Sequence, residues 1–152
     1  MRKTVKPKLL GLCVLLLITA CEQADFVDTT GNGYRYADLN GRWLVINYWA
    51  TWCGPCKKEI PELNKLHVEH EAKLMVLGVN FEQVEAEQMA RDIGKMGIEF
   101  PVYALSPHQY YGVEKPLVLP TTLLISPDGN VYDTLVGPQT EETLLAAMRL
   151  TH

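Results

Sequence analysis

The sequence has no apolar run long enough to cross a bilayer, no basic excess beyond its first twenty residues, no internal repeat and no low-complexity tract. Each absence excludes a class. The apolar stretch Leu9 to Ala20 rises only about 18 Å as a helix against a hydrocarbon core of roughly 30 Å, so a permanent spanning helix is disfavoured. Residues 1–20 carry Arg2, Lys3, Lys6 and Lys8 and no acid, which leaves 10 basic against 18 acidic side chains in the remainder. That net of −8 argues against nucleic acid or an anionic membrane surface as the main partner. Glycine and proline together make 20 of 152 residues, with 47% hydrophobic and 21% charged, which excludes collagen-like, disordered and coiled-coil chains. A length of 152 suits one domain with one compact core.

Cysteine is scarce, with four in the chain, and its positions are informative. The basic start followed by an apolar stretch reads as an export signal. Its end, Ile18-Thr19-Ala20-Cys21, resembles a bacterial lipobox, whose cysteine is lipidated as the new N-terminus; the alternative is an ordinary signal cleaved near Ala20 that leaves Cys21 a free thiol. Glu22 leaves the choice of inner or outer membrane open. The expected division is a signal at 1–20, a polar tether at 21–33 ending in Gly31-Asn32-Gly33, and one domain at 34–152. Cys13 leaves with the signal and Cys21 carries lipid, so the domain keeps only Cys53 and Cys56. In an oxidising compartment a pair this close in sequence staples nothing distant, so its disulfide serves to be made and broken.

Along the domain, Tyr34-Arg35-Tyr36 reads as a short strand and Leu39 to Arg42 as a turn. Trp43 to Trp49 (WLVINYW) is apolar, β-branched and aromatic, the pattern of a buried central strand. A helix begins in Gly54-Pro55, with proline in its first turn, and runs to about His70 with Pro61 inside it. Lys73 to Val79 is a second strand, so the helix makes a βαβ crossover. Over Glu82–Met96, the spacing of Met89, Ile93 and Met96 predicts a helix with one apolar face. Phe100 to Ala104 reads as a strand and Ser106–Tyr111 as a turn or short helix. Thr121 to Ile125 and Val131 to Val136 flank Ser126-Pro127-Asp128-Gly129-Asn130, a hairpin signal. The last helix runs from about Thr140 to Leu150, capped by Thr140, with Glu141 and Glu142 in its first turn and Leu144 and Met148 facing inward.

Chemistry concentrates in Trp49-Ala50-Thr51-Trp52-Cys53-Gly54-Pro55-Cys56-Lys57-Lys58-Glu59, between strand and helix. Cys53 sits ahead of the helix, where unpaired N–H groups and the positive dipole end stabilise a thiolate, and is the expected nucleophile. Cys56 lies in the first turn, placed to resolve a mixed disulfide on Cys53 and more covered by its neighbours. Gly54 and Pro55 keep the loop tight.

These residues, with Leu119-Pro120-Thr121-Thr122 before a strand, the Pro127-Asp128-Gly129 hairpin and the export signal, resemble the thioredoxin superfamily. Within it they are similar to the membrane-tethered TlpA/ResA-type reductases of the bacterial cell envelope, over roughly residues 34–150. The resemblance implies a thioredoxin-like α/β fold, a mixed central sheet flanked by helices, with a TlpA-type central insertion accounting for Phe81–Leu119. It makes Pro120 the cis-proline facing the cysteines, with the backbone of Leu119 presented to a substrate peptide. Asn47 falls where thioredoxin has an acid, and an amide cannot take that proton. Glu59, three residues after Cys56, matches an active-site acid of the ResA-type proteins; spacing alone is also met by a solvated helix glutamate. Lys57 and Lys58 fit either added positive potential or plain surface, and Trp52 is read as an exposed apolar contact for docking partners.

The implied function is a thiol–disulfide oxidoreductase on the periplasmic face of a bacterial membrane, held by its N-terminal lipid and working without a dissociable cofactor. It would act as a reductant on oxidised envelope proteins such as apocytochrome c, with electrons from a DsbD/CcdA-like membrane thiol transporter. Zinc is the rival. Cys53-x-x-Cys56 and His67-x-x-His70 mimic a Cys2His2 set, but on one helix the histidines lie about 16 Å from the cysteines, against Zn–ligand bonds of about 2.0–2.3 Å. His67 and His70 are expected at the surface. Copper held by the two thiolates, or thiol oxidation, is the alternative function.

Overall fold

The computed structural model describes residues 24–150; the expected export signal and Cys21 lie outside the described residues. Its elements are β1 (Phe26–Val27), β2 (Gly33–Tyr34), α1 (Tyr36–Leu39), β3 (Trp43–Trp49), α2 (Gly54–Glu69), β4 (Leu74–Asn80) and α3 (Ala86–Met96). They continue with β5 (Val102–Tyr103), a 3-10 turn (Pro107–Gln109), β6 (Thr121–Ile125), β7 (Val131–Val136) and α4 (Glu141–Ala147).

The main sheet has the order β5-β4-β3-β6-β7. β3 and β4 pair in parallel from Trp43↔Leu74 to Trp49↔Asn80, and β5 extends the parallel half on the far side of β4. β6 runs antiparallel to β3, and β7 antiparallel to β6. The mixed sheet is therefore the expected one, and the insertion supplies α3 and β5. The two central strands are buried on both faces, which is why they read as nearly continuous apolar runs. Alternate residues divide the core. Val45 and Trp49 face α2, α3 and α4 with Ile60, Leu63, Met89 and Leu144, while Leu44, Ile46 and Tyr48 face the α1 side with Leu39, Leu77 and Tyr103.

Three expectations are corrected. The helix expected from Glu82 starts at Ala86, because the Asn80 side chain accepts the Glu82 N–H at 2.9 Å and Gln83 turns left-handed at φ 49°, closing a turn before the helix can begin. The strand expected over Tyr34–Tyr36 is confined to Gly33–Tyr34, since Tyr36 enters α1. The tether expected over 21–33 is, from residue 24 on, part of the fold. β1 and β2 pair antiparallel, Thr29 N–H donates to Val102 O at 3.0 Å, and Ala104 N–H donates to Val27 O at 3.3 Å. Phe26 lies 4.3 Å from Tyr103 and stacks on Tyr34, so aromatic burial holds the arm where composition suggested a linker.

Candidate active site

The site forms where β3 hands over to α2. The Trp49 carbonyl accepts the Phe81 N–H at 2.9 Å, which ties the end of β3 to the loop after β4, and Cys53 N–H bonds Ala50 O at 3.1 Å to close the turn. Cys53 is the N-cap residue of α2, with Pro55 in the first turn where no N–H is needed, and its Sγ accepts the Cys56 N–H at 3.2 Å. The sulfur thus occupies the place of a capping oxygen at the positive end of a 16-residue helix. Cys53 and Cys56 are joined by a disulfide with their Cα atoms 5.3 Å apart. Both are buried, Cys53 at 4% exposure and Cys56 at 1%, which leaves Cys53 the more exposed residue of the pair.

Glu59 is not a solvated helix residue. It points from α2 into the interior at 1% exposure, where Asn47 Nδ2 donates to Oε1 and the Gln139 N–H donates to Oε2 at 3.2 Å. Asn47 Nδ2 also reaches Thr122 Oγ1 at 3.0 Å. Burial pushes the Glu59 carboxyl up to about 7, with the Gln139 and Asn47 hydrogen bonds acting against that rise. Since Cys56 and Glu59 are three residues apart on one helix, the second thiol and this carboxyl share a face.

The Leu119–Pro120 peptide bond is cis. Pro120 O accepts the Gly137 N–H at 2.9 Å, while the Leu119 backbone makes no hydrogen bond among the described residues. Trp52 is 62% exposed and meets Phe81 edge to face at 6.3 Å. Lys115 lies over the Phe81 ring at 4.5 Å and donates to Phe81 O at 2.7 Å, so the loop before Pro120 is fastened to the loop carrying Trp52's partner. A cleft of about 380 Å³ lined by Lys115, Pro116, Leu117, Val118, Thr121 and Val136 opens beside it. Gly54, Pro55, Lys57 and Lys58 are exposed around the cysteines.

The histidines expected at the surface are both partly buried. His67 Nδ1 faces the Val76 N–H at 3.4 Å, and burial holds its pKa below the ordinary value. His70 Nε2 lies 3.1 Å from Glu141 Oε1, which also takes part, through Oε2, in a 2.6 Å ion pair with Lys65. Among the described residues, no His, Asp or Glu joins the two cysteines in a metal-binding group; Glu69, His70 and Glu141 come together elsewhere. The contributions of Gln139 and Thr122 to the site escaped sequence reasoning. Their link to Glu59 and Asn47 spans about 80 residues and leaves no local pattern.

A mixed sheet of this order, with a Cys-x-x-Cys disulfide capping a helix after a buried strand and a cis-proline loop, defines a thioredoxin-like thiol–disulfide protein. The chain belongs to the AhpC/TSA family, whose model matches residues 19–134. It is 33% identical over 129 residues to the thiol-disulfide oxidoreductase ResA of Bacillus thuringiensis (strain Al Hakam), covering 81% of this chain and 72% of that protein. ResA of Bacillus subtilis (strain 168) is 29% identical over 126 residues, covering 81% and 69%. Among solved structures, StoA from Bacillus subtilis superposes with a TM-score of 0.64 at 24% identity, covering 80% of this chain and 92% of that one. A DsbF homologue from Corynebacterium diphtheriae gives 0.68 at 21%, covering 84% and 87%. At those identities the two structures speak to the fold. Together with the ResA relatives, the site makes this chain a thiol–disulfide oxidoreductase. No helix among the described residues is long and apolar enough to cross a membrane.

Proposed function

We propose that this protein reduces disulfides in envelope proteins outside the cytoplasm, apocytochrome c among them, through a Cys53–Cys56 dithiol. It is held at the membrane by lipid on Cys21. The Cys53 thiolate attacks a substrate sulfur, forming a Cys53–substrate disulfide and releasing one substrate thiolate, which takes a proton. The Cys56 thiol gives its proton to Glu59 and attacks Cys53 Sγ; the second substrate sulfur leaves as a thiolate, which takes a proton, and the Cys53–Cys56 disulfide forms. Two electrons pass to the substrate, and a membrane thiol transporter of the DsbD/CcdA kind restores them. Trp52, Gly54 and Pro55 form the docking surface around the nucleophile, with the Leu119 backbone beside Pro120 free to pair with an extended substrate chain.

The observation that carries this reading is the buried Glu59 carboxyl on the Cys56 face of α2, with a pKa of about 7. A carboxyl of that affinity exchanges protons at neutral pH, and a buried thiol resists ionising without a partner. The test combines two variants. Cys56→Ser should trap mixed disulfides through Cys53, and Glu59→Gln should raise the steady-state level of mixed disulfide during turnover while leaving the first attack intact. Unchanged turnover of Glu59→Gln across a pH series would remove Glu59 from the mechanism, and faster alkylation of Cys56 than Cys53 would reverse the cysteine roles.

A further inference from the structure

Among the described residues, Glu59 is the only acid bonded to Asn47, and both are buried at 1% exposure. Burial sets its proton affinity, opposed by the Gln139 and Asn47 N–H donors; Lys57, Lys58 and Glu62 lie on its own helix and Glu141 at the start of α4. The facing positions on β3 and β6 are Asn47 and Thr122, neither of which ionises. Cys56, the titratable group one turn back, is locked in the disulfide.

The chemistry of an amide decides what such a site can do. An Asn side chain has a donor end and an acceptor end at nearly equal positions, and a threonine hydroxyl both donates and accepts. With Glu59 ionised, Asn47 Nδ2 donates to the carboxylate and to Thr122 Oγ1, the arrangement observed. With Glu59 protonated, a half-turn of the amide brings Oδ1 to the same place, where it accepts from the Glu59 O–H and from the Thr122 O–H. In either state the Glu59 carboxyl and the Thr122 hydroxyl keep a partner on the Asn47 amide. An aspartate at position 47 lacks this property, because when ionised it accepts only.

We propose that Asn47, oriented by Thr122, is a positioning residue that holds Glu59 in both protonation states, so that the carboxyl can take up and return a proton without leaving its site. This rests on Glu59 being the proton acceptor for Cys56. It also gives a reason for an amide at this place in the strand: an acid there would compete for the same proton.

The test is made on the oxidised protein, whose disulfide removes the cysteines from the titration. The carboxylic C=O stretch of Glu59 is identified in infrared difference spectra as the band missing from Glu59→Gln, and is followed with pH. The wild-type midpoint is expected near 7. Asn47→Leu loses a donor to the charged form, and the midpoint should rise by about one unit or more. The isosteric Asn47→Asp, which serves if the leucine variant fails to fold, should give two coupled steps with the later one above the wild-type midpoint. Thr122→Val should move the midpoint upward and Thr122→Ser should restore it. Midpoints equal to the wild type in folded Asn47 variants would overturn the cradle. Shifted midpoints with unimpaired turnover of Glu59→Gln would leave the cradle standing and remove the proton-acceptor role instead.

Discussion

The stability of the oxidised protein should fall with rising pH across a window set by Glu59, and Glu59→Gln should abolish that fall. The carboxyl titrates at about 7 in the fold against an ordinary 4.5, and at 1.36 kcal/mol per unit the difference is about 3 kcal/mol. At 1% exposure, solvent does little to screen it. Below pH 4.5 the group is protonated in folded and unfolded chains alike and contributes nothing. Between 4.5 and about 7 the folded state holds a proton that the unfolded state has lost, so unfolding becomes easier with each step in pH. Above 7 both are ionised and the full cost of the buried charge is present. Gln keeps the volume, and with its amide oxygen toward the Gln139 N–H and its N–H toward Asn47 Oδ1 after the half-turn of that amide, its contribution does not vary with pH. Urea unfolding of both proteins at constant ionic strength, from pH 4 to 8.5, isolates the effect. Other titrating groups cancel in the difference, which should move by about 3 kcal/mol in favour of Glu59→Gln. Parallel stability curves from pH 4.5 to 7 would refute the buried-carboxyl argument.

Two further outcomes test the frame. Asp28 accepts from Thr30 N and Oγ1 at 2.8 and 2.7 Å, from Asn32 N and Nδ2 at 3.0 and 3.1 Å, and from Tyr34 OH at 3.1 Å; burial raises its pKa, but the Thr30 and Asn32 hydrogen bonds outweigh it and the net shift is downward. Asp28→Ala should cost about 2–3 kcal/mol and speed amide exchange at Thr29 and Ala104, and the wild-type contribution should be lost only as pH falls through that lowered pKa. Gly78→Ala would bring a Cβ to 2.9 Å from Trp49 Nε1, 3.0 Å from Phe100 and 3.1 Å from Val102. It should destabilise by about 1–3 kcal/mol in urea, and a neutral result would show that this contact can relax.

The sequence by itself determined the elements whose signals are local. The apolar run of β3, proline and glycine between the two cysteines, the Ser126–Asn130 turn and the Thr140 cap each act within a few residues, and each appears where it was read. The cis bond before Pro120 was legible through family resemblance; a proline before a strand does not demand it. Tertiary structure decided what depends on distant neighbours. Whether Glu59 is solvated or buried turns on the Gln139 loop arriving some 80 residues later to cover it, and helical spacing is the same in both cases. The start of α3 was decided by one side chain of β4 outbidding helix periodicity, and the fate of residues 24–33 by the Tyr103 ring of β5 against Phe26 and by backbone bonds to Val102 and Ala104. Periodicity records which face of an element is apolar. It carries no record of which other element closes over a polar group on that face, and that closure sets the proton affinity on which the chemistry rests.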